Sequence, residues 1–132
     1  YACKAAAAQM GKQGEGGRIV NLSSTMGKSG RPNTSAYNAA NFAVDGFTQA
    51  LAKEIGEHDI TVNSVCPGLI ETARLDSMGR TVRWNARISE IPMKRAGTDE
   101  EVGELIGFLC SRRAAYITGQ SINVNGGVIT ER

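Results

Sequence analysis

The chain has 132 residues, 41% apolar and 21% charged, with a net charge of +2. That composition suits one domain with a real core and excludes a disordered tract. The charge is too small to point to nucleic acid, and no apolar run approaches the ~20 residues of a membrane span.

In chain order, the opening "YACKAAAAQM" has helical composition, with no initiator methionine and no capping residue before it. It reads as a helix entered from upstream and stopped by Gly11. No basic segment followed by an apolar one marks a signal peptide. "GKQGEGG" (11–17) reads as a loop. Its glycines precede a strand, whereas a phosphate-cradling loop needs strand, glycines, then helix. "RIVNLSS" predicts a buried strand over 18–22 running into Ser23 and Ser24, and 25–34 a turn-rich connection. A helix follows over 35–56. Ala36, Ala40, Val44, Phe47, Leu51 and Ile55 recur at spacings of three and four, which predicts the buried stripe of an amphipathic helix.

His58 lies in the polar turn "GEHDI" and reads as a solvated loop residue, leaving a Ser-His-Asp hydrolase without its base. "ITVNSVCPG" predicts a second strand, 60–65, stopped by Pro67 and Gly68. Residues 69–97 are mixed and predict one or two short helices. Arg80, Arg83 and Arg87 recur there at helical spacing around Trp84 and read as a solvated basic face. Thr98 and Glu101 form a capping box for a helix with Val102, Leu105, Ile106 and Leu109 inward. Cys110 on that helix reads as core. "QSINVNGG" predicts a third strand. Cys3, Cys66 and Cys110 are odd in number and far apart, which fits reduced thiols in the cytoplasm and no metal site.

Strands alternating with helices predict an α/β fold, a parallel sheet covered on both faces. In such sheets ligands sit beyond the C-terminal strand ends. Those ends are Ser23–Ser24, Cys66–Gly68 and Asn125–Gly127. Flavodoxin-like and response-regulator modules need an acidic cluster or a phosphate loop, and the chain shows neither.

Five blocks in order, "IVNLSS", "SAYNAAN", "NSVCPGLIET", "IPMKRAGTDEEVGELIGFLCS" and "YITGQSINVNGG", resemble the short-chain dehydrogenase/reductase family of the classical type. The resemblance covers essentially the whole chain. It implies a Rossmann-like doubly wound sheet of which residues 1–132 form the C-terminal part, without the glycine fingerprint and asparagine of the family's N-terminal half. It also implies hydride transfer between NAD or NADP and a secondary alcohol or ketone. By resemblance Ser24 holds the substrate oxygen, favoured over Ser23 by its thirteen-residue spacing to Tyr37, and Tyr37 is the general acid/base. Tyr37, position 41, Pro67, Gly68, Ile70 and Thr72 would contact the cofactor. The family commonly forms homo-oligomers, dimers or tetramers, through the tyrosine's helix, where Ala36, Ala39, Ala40 and Ala43 would allow close packing.

One residue departs from the pattern. The family carries lysine where this chain has Asn41. A free tyrosine titrates near 10, and the lysine's charge brings its proton within reach at neutral pH. A carboxamide offers hydrogen bonds without charge. Asn41 therefore opens an alternative expectation, an impaired or non-catalytic relative acting through cofactor binding or assembly.

Overall fold

The computed structural model describes residues 1–72 and 82–131. Helix α1 (Ala2–Gln13) leads to strand β1 (Gly17–Leu22) and a 3-10 turn at Thr25–Gly27. Then come α2 (Ser35–Ile55), β2 (Ile60–Pro67), α3 (Val82–Glu90), α4 (Asp99–Cys110) and β3 (Ser121–Val124). The strands form one parallel sheet, β1-β2-β3, with Ile19 opposite Val62 and Val65 opposite Ile122. This is the expected α/β architecture. Among the described residues no helix is long and apolar enough to cross a membrane.

Side chains alternate across a strand, so the sheet builds two cores. Ile19, Ile60 and Val62 meet Leu51 and Ala52 of α2, with Cys3, Ala6 and Met10 of α1 packed alongside. Val20 and Val65 meet Val102 and Leu109 of α4. The central strand is buried along nearly its whole length. Full burial of one such aliphatic side chain is worth about 1.5–3 kcal/mol.

Three expectations are corrected. Helix α1 passes through Gly11 and stops at Gly14, whose φ of 68° provides the left-handed cap; its N–H donates to the Met10 carbonyl at 3.1 Å. Gly11 costs a little helix propensity but creates no stop by itself. Cys110 is exposed, because Leu109 takes the inward position on α4. The largest correction concerns α2. Its buried residues are Asn38, Asn41, Asp45, Thr48, Leu51 and Ala52, while Ala36, Ala40 and Phe47 are exposed and Val44 and Ile55 half-buried. The polar stripe turns inward because each of its members finds a partner. Asn21, for example, donates to the Thr48 hydroxyl at 2.9 Å. A hydrogen-bonded polar group can be buried at little net cost.

Arg80 lies outside the described residues, as does the side chain of Arg83; Arg87 is exposed on α3. The α4 capping box forms as expected. Glu101 N–H donates to Thr98 Oγ1 at 3.3 Å, and Glu101 Oε2 accepts from Thr98 N–H at 2.9 Å. Arg95 adds a forked pair to the same carboxylate at 2.5 and 2.8 Å. The Arg95 hydrogen bond, then the Thr98 backbone N–H, hold the Glu101 carboxyl at about 2. An unfolded glutamate titrates near 4.3. The folded pKa is the lower one, so this group's contribution to stability is complete above the unfolded value and is lost as pH falls towards 2. Glu101→Gln keeps the cap's hydrogen bonds and removes the charge. Denaturation between pH 5 and 2 is expected to show a shallower acid loss in the variant. Identical pH slopes would contradict this account.

Candidate active site at the C-terminal strand ends

β1 ends in two serines with different duties. Ser23 N–H extends the sheet by donating to the Val65 carbonyl at 2.9 Å. Its hydroxyl donates inward to the Asn41 carbonyl at 3.3 Å. Ser24 has extended backbone and caps the 3-10 turn, its Oγ accepting from Met26 N–H at 3.2 Å. Acceptance uses a lone pair, so the Ser24 hydroxyl keeps its proton to donate.

Tyr37 stands in the first turn of α2, 56% exposed. Its side chain makes no hydrogen bond among the described residues. Asn41, one turn on, is buried, and its Nδ2 donates to the Tyr37 main-chain carbonyl at 2.8 Å. Half of its donor capacity is thereby spent within its own helix.

At the next strand end Pro67 closes β2, where a missing N–H is tolerated. Gly68 N–H donates to the Val124 carbonyl at 2.9 Å. The chain beyond pairs with Gly97: Gly97 N–H donates to Leu69 at 2.9 Å, and Glu71 N–H to Gly97 at 2.8 Å. Ile70, half-buried, bridges to Gly97, and Thr72 is exposed. Thr25 and Met26 share a narrow cleft of about 20 Å³ with Gly68, Leu69 and Val128. The serine turn and the Pro-Gly loop are thus adjacent.

Asn38 was not singled out by the sequence, yet it ties this region together. Its Nδ2 donates to the carbonyls of Met26 at 2.7 Å and Ser29 at 2.9 Å. Asp45, also missed, accepts from Ser64 Oγ at 2.7 Å beneath the turn. A signal was present: Asn38, Asn41, Asp45 and Thr48 form a polar stripe at helical period.

The family described as enoyl-(acyl carrier protein) reductase matches residues 1–129. The 3-oxoacyl-[acyl-carrier-protein] reductase FabG of Pseudomonas aeruginosa is 43% identical over 112 residues, 85% of this chain and 45% of the relative. The oxidoreductase YohF of Escherichia coli K12 is 45% identical over 122 residues, 92% of this chain and 48% of YohF.

The chain belongs to the short-chain dehydrogenase/reductase family. It spans about half the length of the curated relatives it matches. Among solved members of the family, acetoin dehydrogenase from Enterobacter cloacae superposes with a TM-score of 0.84 at 40% identity, over 96% of this chain and 49% of that one. A candidate 2-deoxy-d-gluconate 3-dehydrogenase from Agrobacterium tumefaciens with bound NADP gives 0.90 at 33% identity, over 96% and 52%.

A Cβ added to Gly68 would lie 2.8 Å from Asn125 Cα and 2.9 Å from its Cβ. Neither atom is the end of a flexible chain, so β2 and the end of β3 must part. Gly68→Ala is expected to destabilise by about 1–3 kcal/mol, read as a lower denaturation midpoint. An unchanged midpoint would mean that the loop relaxes freely.

Proposed function

We propose that this chain is the C-terminal portion of an NAD- or NADP-dependent oxidoreductase that moves hydride between nicotinamide and the carbon of a secondary alcohol or ketone. The carrying observation is the Ser24 hydroxyl. Among the described residues its proton is uncommitted, while that of Ser23 is spent on Asn41, and its turn is bound to the helix that presents an exposed Tyr37. Ser24 donates to the substrate oxygen. Tyr37 takes the hydroxyl proton when an alcohol is oxidised and returns it when a ketone is reduced. The donor set fits the nicotinamide–ribose end of a dinucleotide: Tyr37 and Thr72 offer exposed polar side chains, and Pro67 and Ile70 offer apolar edges. When bound, that group supplies or accepts the hydride. The outer edge of β1, which pairs with no other strand among the described residues and where Leu22 is 63% exposed, supports a sheet continued by further polypeptide.

Asn41 favours a second reading, an impaired or non-catalytic relative that binds cofactor or assembles. Its buried carboxamide is engaged with Tyr37's own carbonyl and carries no charge. Positioned acid/base catalysis is worth about 10²–10⁴-fold, and this substitution gives up part of it. Under either reading the outward face of α2, with Phe42 and Phe47 each 48% exposed among alanines, supports a homo-oligomer, a dimer or tetramer. The three free thiols support a cytoplasmic setting.

The test is Asn41→Lys in the full-length protein with a ketone that it accepts. A cation one turn from Tyr37 favours phenolate over phenol. At ~4 Å and an effective dielectric of 20, two unit charges interact by about 4 kcal/mol. The Asn41–Tyr37 hydrogen bond that is lost goes to the main-chain carbonyl, so its loss, about 1 kcal/mol, falls on the stability of the helix and not on the phenol. Turnover is expected to rise, with the basic limb of its pH profile moving towards neutrality, and Tyr37→Phe is expected to abolish turnover in either background. An unchanged profile with cofactor still bound would show that position 41 does not govern the tyrosine.

A further inference from the structure

Ser24 and Tyr37 sit on different segments, thirteen positions apart and joined by the turn-rich connection 25–34. That connection contains Gly27, Gly30 and Asn33, the last with φ of 64°. Such a chain does not by itself hold two side chains in register. Ser23 anchors the end of β1 to the Val65 and Asn41 carbonyls, but beyond Ser24 the turn takes its place from the contacts that bind it to α2.

Asn38 supplies that binding. It is buried, next to Tyr37 on the helix, and its carboxamide faces away from the apolar core towards the connection. Both Nδ2 protons are used, one on the Met26 carbonyl at 2.7 Å and one on Ser29 at 2.9 Å. Because both neighbours are acceptors, the amide orientation follows from chemistry. On the other side Oδ1 lies 2.5 Å from the Thr34 hydroxyl. That hydroxyl is also 2.9 Å from the Arg31 carbonyl, so its single proton serves one of the two at a time. Among the described residues no other α2 side chain bonds to residues 25–33. The two clamped carbonyls lie two and five residues beyond Ser24, on either side of Gly27.

We propose that Asn38 is a positioning residue whose carboxamide clamps the Met26 and Ser29 carbonyls to α2 and thereby sets where the Ser24 hydroxyl stands relative to Tyr37. This rests on the site assignment proposed above. No other side chain of that length does the same work. Aspartate has nearly the same shape but no donor, and would set carboxylate oxygens against two carbonyl oxygens. Serine is too short to reach both. Glutamine adds a methylene in a buried place.

The experiment uses the full-length protein, a ketone it reduces and its nicotinamide cofactor, with turnover counted per cofactor-binding site. Asn38→Asp is expected to lower kcat about 10²-fold while cofactor Kd changes less than about threefold, because the Pro67–Gly68 loop is untouched. The effect should also depend on Ser24. In a Ser24→Ala background, Asn38→Asp should cost little more, since the hydroxyl being placed is gone. A merely structural role would reduce the number of binding sites and leave kcat per site unchanged; that result, or full additivity with Ser24→Ala, overturns the proposal. If Asn38→Asp yields no cofactor-binding protein, Asn38→Ser decides, and parental kcat per site in that variant overturns the proposal. If Ser24→Ala and Tyr37→Phe keep parental turnover, the site assignment fails and this inference falls with it. If both lose turnover and Asn38→Asp does not, the assignment stands and the inference alone fails.

Discussion

A buried carboxylate organises this three-stranded sheet. Asp45 comes from α2, accepts from the Ser64 hydroxyl on β2 at 2.7 Å, and through it reaches Ser121 on β3 at 2.8 Å. Ser64 has one proton and a carboxylate only accepts, so that proton goes to Asp45 and Ser121 donates in turn. The chain runs across one helix and two strands. A buried charge left unpaired would be costly, and its surroundings are shaped to avoid that. A Cβ on Gly27 would come within 2.6 Å of Asp45 Oδ2, so the turn passes over the carboxylate bare. Lys28, its side chain only 9% exposed, reaches the Ser121 carbonyl at 2.5 Å and Glu131 at 2.6 Å. Cys66 lies 3.7 Å from the same carboxylate. Burial, and then the charge of Asp45, push its thiol up, with Lys28 opposing. Cys66 therefore stays a protonated donor and not a nucleophile.

This arrangement inverts the usual logic of a surface helix. Along its first four turns the polar side chains of α2 point inward, where turns and strands supply partners, and Phe42 and Phe47 are left exposed; only Leu51 and Ala52 near its end bury apolar groups. The inward stripe makes its contacts in sequence along the helix. Asn38 meets the serine turn, Asn41 meets Ser23 and Tyr37, Asp45 meets β2, and Thr48 meets Asn21 of β1. Directional bonds fix the helix's rotation and height more tightly than apolar contact would. The outward stripe is left to Phe42, Phe47 and alanines.

The exchange at position 41 is local. Asn41 is held by its own helix, and neither the serine turn nor the Pro-Gly loop depends on its side chain. The fold of a family member is thus built without any demand on the Asn41 side chain, and under the proposed assignment the difference at this position is one of charge. Positioning and charge, the two means by which such a site lowers a barrier, are separable here.

Features that depend on near neighbours were largely legible in the sequence by itself, though the stop of α1 lay at Gly14 and not at Gly11. Alternating strands and helices announced the parallel sheet, Thr98 and Glu101 the start of α4, and Pro67–Gly68 the end of β2. Each is decided within about four residues by capping, alternation or a missing N–H. Family likeness then pointed to Ser24, Tyr37 and position 41. Tertiary structure alone decided which stripe of α2 faces the sheet. Helical period marks two stripes on α2, and the inward choice depends on whether partners arrive from elsewhere in the chain. Those partners are Met26, Ser29, Ser64 and Asn21. Only the folded chain separated the duties of Ser23 and Ser24, because what distinguishes them is a carbonyl eighteen residues away. The polar stripe holding Asn38 and Asp45 is visible in the sequence, but its direction is not, for the same reason. A buried polar side chain has meaning only through the group it meets, and that group is brought to it by the fold.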